Sequence, residues 1–454
     1  MEYIEENDVK FIRLVFFDIF GSMKNISIIA SELPRALKYG VTFDASEING
    51  FMNIGESDLM LRPDPATVEI LPWRPQHSRV LRVFCDICYP DGRTFEGDSR
   101  NILKRSIDDL NEMGYYCEVG TECSFYLFTQ DEYGNPSKTP HDQGTYYDVA
   151  PVDKGENIRR EICLTLEEMG IQPQRSHHEE GPGQHEIIFM HGNPVEAADH
   201  VMTFKNMVKT IADINGLFAS FLPKPLENES GSCMHVNFSL YNKKSGENLI
   251  NVNNEIGRHF MAGVLNHVNE MTLFLNPTTN SYKRFGQFEA PLFVTWSHEN
   301  RQQLMRISSN LAGDCRMELR SPDGSANPYL VLALIIYAGI DGIKNKTELC
   351  DPVNVTYKEH ISGLERLPEN LDAAVKYAEK SPFLKQVLPE NILTTYINIK
   401  RLCIYLIQKT DKFTQHLSYP IKLHNICLLP KLYSLHSGKQ WQLCLHLRYP
   451  CFFL

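Results

Sequence analysis

No stretch of this chain is apolar enough to cross a bilayer. The longest apolar run, Tyr329 to Ala338, falls far short of the roughly 20 residues that a spanning helix needs. The start, Met1-Glu2-Tyr3-Ile4-Glu5-Glu6, has neither the basic residues nor the apolar stretch of a secretory signal. A cytoplasmic protein with no membrane partner is therefore expected. Positive charge is also scarce: 45 Lys and Arg against 56 Asp and Glu leave a net charge of −11. With no basic stripe along the sequence, a nucleic-acid partner is not expected. The 12 cysteines follow no framework spacing. Cys85-x-x-Cys88 is the close pair, it lacks a second CxxC, and it sits in a strand-like apolar run, so buried thiols are expected rather than a metal or redox site. Neither a Walker A loop nor a Rossmann glycine fingerprint occurs, which excludes the usual nucleotide loops.

What is present describes an ordinary globular chain, 43% hydrophobic and 22% charged. At 454 residues it exceeds what one core supports, so two domains are expected. Residues 1–97 read as a small strand-rich domain, with strands at Val9–Phe17, Ile26–Ile29, Val68–Leu71 and Val80–Cys88 punctuated by Gly and Pro. Asp98 or Ser99 caps a helix reaching Met113 and opens a second domain over 98–401. There, strands at Glu118–Phe128, His185–Phe189, Phe218–Phe221, His235–Leu240 and Met317–Leu319 alternate with helices at Asn157–Met169, Asp199–Asn215, Ile256–Leu275 and Asn327–Lys346. The expected class is α+β with a largely antiparallel sheet.

Charge appears where a core strand should be apolar. Arg316-Met317-Glu318-Leu319-Arg320 and His235-Val236-Asn237-Phe238-Ser239-Leu240 each alternate, so one face carries Arg, Glu, Arg or His, Asn, Ser while the other can pack. Glu122 lies on a further strand. In His177-His178-Glu179-Glu180-Gly181-Pro182-Gly183-Gln184-His185-Glu186, the Gly-Pro-Gly turn can fold Glu179 and Glu186 toward each other. Gathered carboxylates need counter-charge, and oxygen donors with a minority of imidazole suit Mg²⁺ or Mn²⁺. Between Asn280 and Arg320 stand Arg284, Arg301, Arg306 and Arg316, whose forks bind carboxylate and phosphate. Metals facing arginines suit phosphoryl transfer. A solvated strand face and surface ion pairs are the plain alternatives for any one of these segments.

From about Val9 to Arg401 the chain resembles the type I glutamine synthetases. The strings that carry the resemblance are Phe43-Asp44-Ala45-Ser46 with Glu56-Ser57-Asp58, Ser176 through Glu186, Lys224-Pro225 before Gly231-Ser232-Cys233-Met234-His235, Asn276-Pro277 with Asn280 through Arg284, and Ala326-Asn327-Pro328-Tyr329 with Asp341 through Lys346. The resemblance implies a β-grasp-like N-terminal domain followed by a glutamine synthetase/guanidino kinase-like catalytic domain with a curved antiparallel sheet. It implies ATP-dependent ligation of ammonia to L-glutamate through γ-glutamyl phosphate, with two or more Mg²⁺ or Mn²⁺ ions and ATP as co-substrate. By similarity, Glu122, His235 and Glu318 would hold one ion and Glu179 and Glu186 the other. Asp44 would take a proton from ammonium, Glu289 would close over the intermediate, and Arg301 would serve catalysis and phosphate. Tyr146, Gly231, Arg284 and Arg320 would bind substrate. Asn237, Ser239, Arg306 and Arg316 would bind nucleotide and phosphate. The family assembles as rings of identical subunits, with the Asp44 loop reaching a neighbour.

The sequence departs from the family pattern at several places. Ser124 stands where a second glutamate belongs, two residues after Glu122. Cys233 replaces a glycine, Ser308 a proline and Gln302 a serine. Asn53 lies where the feedback-sensitive subgroup carries arginine, and the segment after Pro352 does not match the adenylylated motif. Two alternatives follow: a catalytically impaired homologue with an assembly or regulatory role, and a γ-glutamyl ligase for another amine, against which Asp44 and Tyr146 favour ammonium. Residues 402–454 change composition, with Asp411 alone against six Lys and Arg, and read as an anomalous tail outside the family fold.

Overall fold

The computed structural model describes residues 2–48, 50–51, 57–309, 315–354 and 363–414, with side chains at 309 and 410–414 set aside. Asn53, Glu56, most of the segment after Pro352 and the tail beyond 414 lie outside the described residues.

In chain order the N-terminal unit comprises α1 (Glu2–Glu6), β1 (Val9–Phe17), β2 (Met23–Ile29), α2 (Leu33–Tyr39), β3 (Val41–Asp44), β4 (Asp58–Pro63), β5 (Glu69–Ile70) and β6 (Arg79–Cys88). The second unit comprises α3 (Ser99–Glu112), β7 (Tyr115–Gln130), β8 (Pro136–Pro140), α4 (Glu156–Glu168), β9 (Pro173–His178), β10 (Gln184–Phe189), α5 (Pro194–Ile214), β11 (Leu217–Ser220) and β12 (Met234–Asn242). It continues through α6 (Glu255–Leu275), β13 (Trp296–Ser297), β14 (Met305–Ser309), β15 (Cys315–Leu319), α7 (Pro328–Asn345), α8 (Leu371–Lys380), α9 (Pro382–Val387) and α10 (Glu390–Thr414). The last helix runs through the compositional break at Leu402.

The first sheet has the order β2-β1-β6-β4-β3, with β5 added to β6. β1 and β6 are parallel and the remaining pairs antiparallel. The second sheet has the order β13-β14-β15-β12-β7-β10-β9, with β8 and β11 also on β7. It is antiparallel except for the β13–β14 pair. β4 alternates buried Leu59, Leu61 and Pro63 with more exposed neighbours, the period-two signal of a strand with one packed face. In the sequence Leu59-Met60-Leu61 is a short apolar run, so the alternation of this strand shows only in its burial. Val68–Leu71 pairs only over Glu69–Ile70.

The two units share one core. Phe17 of β1 packs on Tyr329 of α7 with ring centroids 5.0 Å apart, and Asn327 caps α7 while its Nδ2 donates to the Ile19 carbonyl at 3.2 Å. Asp98 caps α3, accepting the Arg100 N–H at 3.0 Å. Two residues along, the buried Arg100 guanidinium reaches Asp64 (2.9 Å) and Asp86 (2.7 Å) of the first unit and Asp199 (2.9 Å) of α5. This clamp fixes how the small sheet sits against the large one. Cys85 and Cys88 are buried at 1% and 3% exposure, and burial pushes both thiols upward.

Candidate active site

The site follows from strand register. Across β14, β15 and β12, Arg306 lies opposite Glu318 and Glu318 opposite Asn237. Across β12, β7, β10 and β9, His235 lies opposite Glu122, Ser124 opposite Glu186, and Glu186 opposite His177. Directly opposed residues share a face and successive residues alternate, so all of these side chains line one side of the sheet. Met317, Leu319, Val236, Phe238, Cys123, Phe125 and Ile187 point to the other side and are buried in the core.

Two clusters form on the polar face. Glu122, His235 and Glu318 each bring a donor atom within 4.8 Å of the others, as do His177, Glu179 and Glu186. His235 Nδ1 lies 3.4 Å from Glu318 Oε1 and 3.7 Å from Glu122 Oε2, and Asn237 Nδ2 donates to Glu122 Oε1 at 2.9 Å. Glu318 is fully buried. Arg306 binds it through Nε and NH2, each at 2.6 Å, and Arg320 donates through NH1. Burial alone would raise the Glu122 and Glu318 carboxyls. His235 and Asn237 outweigh it at Glu122, and Arg320 with His235 does so at Glu318, so both are held below the ordinary carboxylate range. Burial lowers the His235 imidazole, reinforced by Arg320, against the opposing pull of Glu122 and Glu318, and imidazole is a common metal ligand. Glu186 is the opposite case: burial, then the charges of Glu179, Glu122 and Glu318, push its carboxyl well above the usual value. The charge of Arg175 offsets this only in part. A divalent cation would balance it, and oxygen donors with one imidazole nitrogen per cluster fit such an ion.

The hairpin that presents Glu179 and Glu186 is built as the sequence suggested. Gly183 takes the positive φ of +68° that the turn requires, and its N–H donates to Asp142 at 2.8 Å. His178 points to the far side, with Nε2 2.9 Å from Asp142 Oδ1 and Nδ1 2.6 Å from the Glu179 carbonyl. Strand β9 itself was not anticipated: Pro173-Gln174-Arg175-Ser176-His177-His178 contains no apolar period. The strand's composition therefore gives His177 no signal, and only alternation with Glu186 across the hairpin points to it.

Other expected residues line the rim. Glu289 is exposed, with Oε2 3.5 Å from Arg320 NH2. Tyr146 packs on Tyr147 and stands edge-on to His177, with centroids 4.0 and 5.6 Å away. Arg301 is exposed. Arg316 donates from Nε to Ser308 Oγ at 3.2 Å, and Ser239 is buried two residues beyond Asn237. Arg284 is buried, donating from NH1 to the Ser321 carbonyl (2.9 Å) and from NH2 to that of Arg320 (2.7 Å). Gly231 leaves it room, since a Cβ there would lie 2.6 Å from Arg284 Cγ and from the Pro223 carbonyl oxygen. Beside Arg306 and Ser308, a cavity of about 460 Å³ is also lined by Asn251, Val252, His298, Glu299 and Cys315. Asp44 is not brought to this face. It ends β3 in the other sheet, exposed, accepting the Ser46 N–H and hydroxyl at 2.9 and 2.7 Å.

Comparison with known proteins gives a consistent result. The family model for the glutamine synthetase beta-Grasp domain matches residues 8–90 and that for the glutamine synthetase catalytic domain matches residues 96–411. Glutamine synthetase of Clostridium saccharobutylicum is 44% identical over 407 residues, covering 87% of this chain and 91% of the relative. That of Methanosarcina mazei is 42% identical over 416 residues, covering 88% and 92%. Among solved structures, a GmaS/ADP complex superposes with a TM-score of 0.82 at 27% identity, covering 90% of this chain and 96% of that one. Plasmodium falciparum glutamine synthetase does so with a TM-score of 0.79 at 26% identity, covering 92% and 98%. Two domain models that between them span the small sheet and the large one, together with relatives matched over nearly their full length, establish that this chain belongs to the glutamine synthetase family.

Proposed function

We propose that the protein joins ammonia to L-glutamate using ATP, giving glutamine, ADP and phosphate. The observation that carries this reading is the sheet face on which two acid-and-imidazole clusters meet the guanidinium groups of Arg306, Arg316 and Arg320. A carboxylate is a poor electrophile. One of its γ-oxygens therefore attacks the terminal phosphorus of ATP, the bond to ADP breaks, and γ-glutamyl phosphate forms. Ammonia then attacks the acyl carbon and phosphate leaves.

When bound, Mg²⁺ or Mn²⁺ held by Glu122, His235 and Glu318 and by Glu179 and Glu186 would supply electrophilic neutralisation of phosphate and carboxylate oxygens. Arg306, Arg316 and Arg301 spread the charge of the moving phosphoryl group, with Asn237 and Ser239 toward the nucleotide. The cavity beside Arg306 gives the nucleotide a place next to Glu318. Arg284, beneath Gly231, and Arg320 take the charge of glutamate. Glu289, tethered to Arg320, closes over the acyl phosphate and excludes water, which would otherwise hydrolyse it. Tyr146 and Glu179 form the ammonium site together with Asp44, which accepts the proton. Asp44 lies on the other sheet, so in this reading it comes from a neighbouring subunit and the working form is a homo-oligomeric ring. Phe11 and Ile29, paired on the small sheet and 50% and 53% exposed, provide an apolar surface for that association. No helix among the described residues is long and apolar enough to cross a membrane, and a cytoplasmic location is consistent with the substrates.

The Ser124–Cys233 contact supports a second reading, in which the chain assembles with or regulates a competent enzyme and turns over poorly itself. The purified full chain, given ATP, glutamate and Mg²⁺ or Mn²⁺ with either ammonium or methylamine, separates the readings. Glutamine and phosphate are expected in equal amounts with ammonium. Product with methylamine alone would favour an amine ligase, and no product with either would favour the regulatory homologue.

A further inference from the structure

The row Ser124–Glu186–His177 runs across three adjacent strands, and its two ends differ in chemistry. Ser124 is 1% exposed. Its Oγ accepts the Cys233 N–H at 2.8 Å and lies 3.5 Å from Cys233 Sγ, while its own N–H donates to the Cys233 carbonyl at 3.2 Å. The hydroxyl is thus bound to the neighbouring strand, and the thiol occupies the space where a longer acid at 124 would extend. On the other side of Glu186, the His177 ring turns Nε2 toward both carboxylates, 3.0 Å from Glu179 Oε1 and 3.8 Å from Glu186 Oε2. Its Nδ1 is buried without a hydrogen-bond partner, so the carboxylate side is where the ring's polar contacts lie. Tyr146 and Tyr147 wall it in, with centroids 5.6 and 4.9 Å away.

We propose that His177 is a ligand of the second cation position, which in this chain is a one-histidine, two-glutamate site selecting Mn²⁺ over Mg²⁺. Ser124 and Cys233 form a matched pair that closes the place a third carboxylate would need. This rests on the metal-dependent reading above. Mg²⁺ prefers oxygen ligands and gives up water reluctantly, whereas Mn²⁺, a first-row transition ion that shares its liking for carboxylates, accepts a nitrogen donor among them more readily. A neutral nitrogen in place of an anion also lowers the repulsion around Glu186.

The test is direct Mn²⁺ binding by the full chain without nucleotide or substrate, followed by electron paramagnetic resonance of the free ion. Two ions per chain are expected. His177→Ala weakens one of them by about 10–100-fold and leaves the other in place, and Mg²⁺ competes poorly at the affected position in the unaltered protein. Ser124→Ala leaves both affinities unchanged. Adding Ser124→Glu and Cys233→Gly to His177→Ala restores the second ion, now readily displaced by Mg²⁺, which also shows that the altered chain folds. Unchanged binding in His177→Ala would overturn the assignment while leaving the ligase reading intact. Absence of Mn²⁺ binding in the unaltered protein would remove both.

Discussion

Glu318→Gln is expected to lower glutamine formation by on the order of 10³-fold with the oligomer still assembled. The exchange keeps the shape and removes the charge. Arg306 and Arg320 both bind this carboxylate, and His235 lies 3.4 Å from it. A neutral amide would leave the buried Arg320 and the partly buried Arg306 guanidinium groups without their anion and give a divalent ion a weak donor in place of a strong one. Glu132→Gln, at an exposed turn, serves as the control and is expected to retain full rate. Steady-state assays with a melting curve separate chemistry from folding. A Glu318→Gln protein that keeps more than about a tenth of the rate would remove Glu318 from the reacting centre.

The largest stability effect is expected at Arg100. Its guanidinium binds Asp64, Asp86 and Asp199 while 3% exposed, and Tyr329 Oη donates to the same Asp199 at 2.6 Å. Arg100→Ala leaves three carboxylates facing one another at the junction of the two units. Removing one partner of a buried ion network costs about 3–5 kcal/mol, which for a chain of 454 residues lowers the melting temperature by about 3–5 °C. Lys104, 2.7 Å from Asp86 and 3.8 Å from Asp64, softens the loss at those two acids but not at Asp199. Thermal unfolding of the variant measures the effect, and an unchanged melting temperature would contradict the clamp.

How much of this was legible in the sequence depended on period. β12 and β15 alternate charged and apolar residues, so His235, Asn237 and Glu318 could be placed on one face before any fold was known. The Gly-Pro-Gly turn announced the Glu179–Glu186 hairpin. β9 and β14 carry little apolar signal, because one holds mainly polar residues and the other is short, so the pairing of Arg306 with Glu318 has no sequence signature and His177 is legible only through its place opposite Glu186 in the hairpin. The two hydrogen bonds of Arg284 to the Ser321 and Arg320 carbonyls are likewise tertiary facts with no local signature. Asp44 stood out only through resemblance to the family, since an acid at the end of a four-residue strand resembles any surface acid. Ser124 was legible as a departure, but its bond to the Cys233 backbone, which explains how the exchange is accommodated, required the fold.

The central proposition is that this sheet face moves a phosphoryl group onto glutamate. Glutamate labelled with ¹⁸O in its γ-carboxylate, incubated with the protein, ATP, ammonium and Mn²⁺, tests it most directly through the isotope content of the released phosphate. One labelled oxygen per phosphate, formed in step with glutamine, is the expected result. Glutamine formed with unlabelled phosphate would contradict the acyl phosphate route and the placement of both clusters around it.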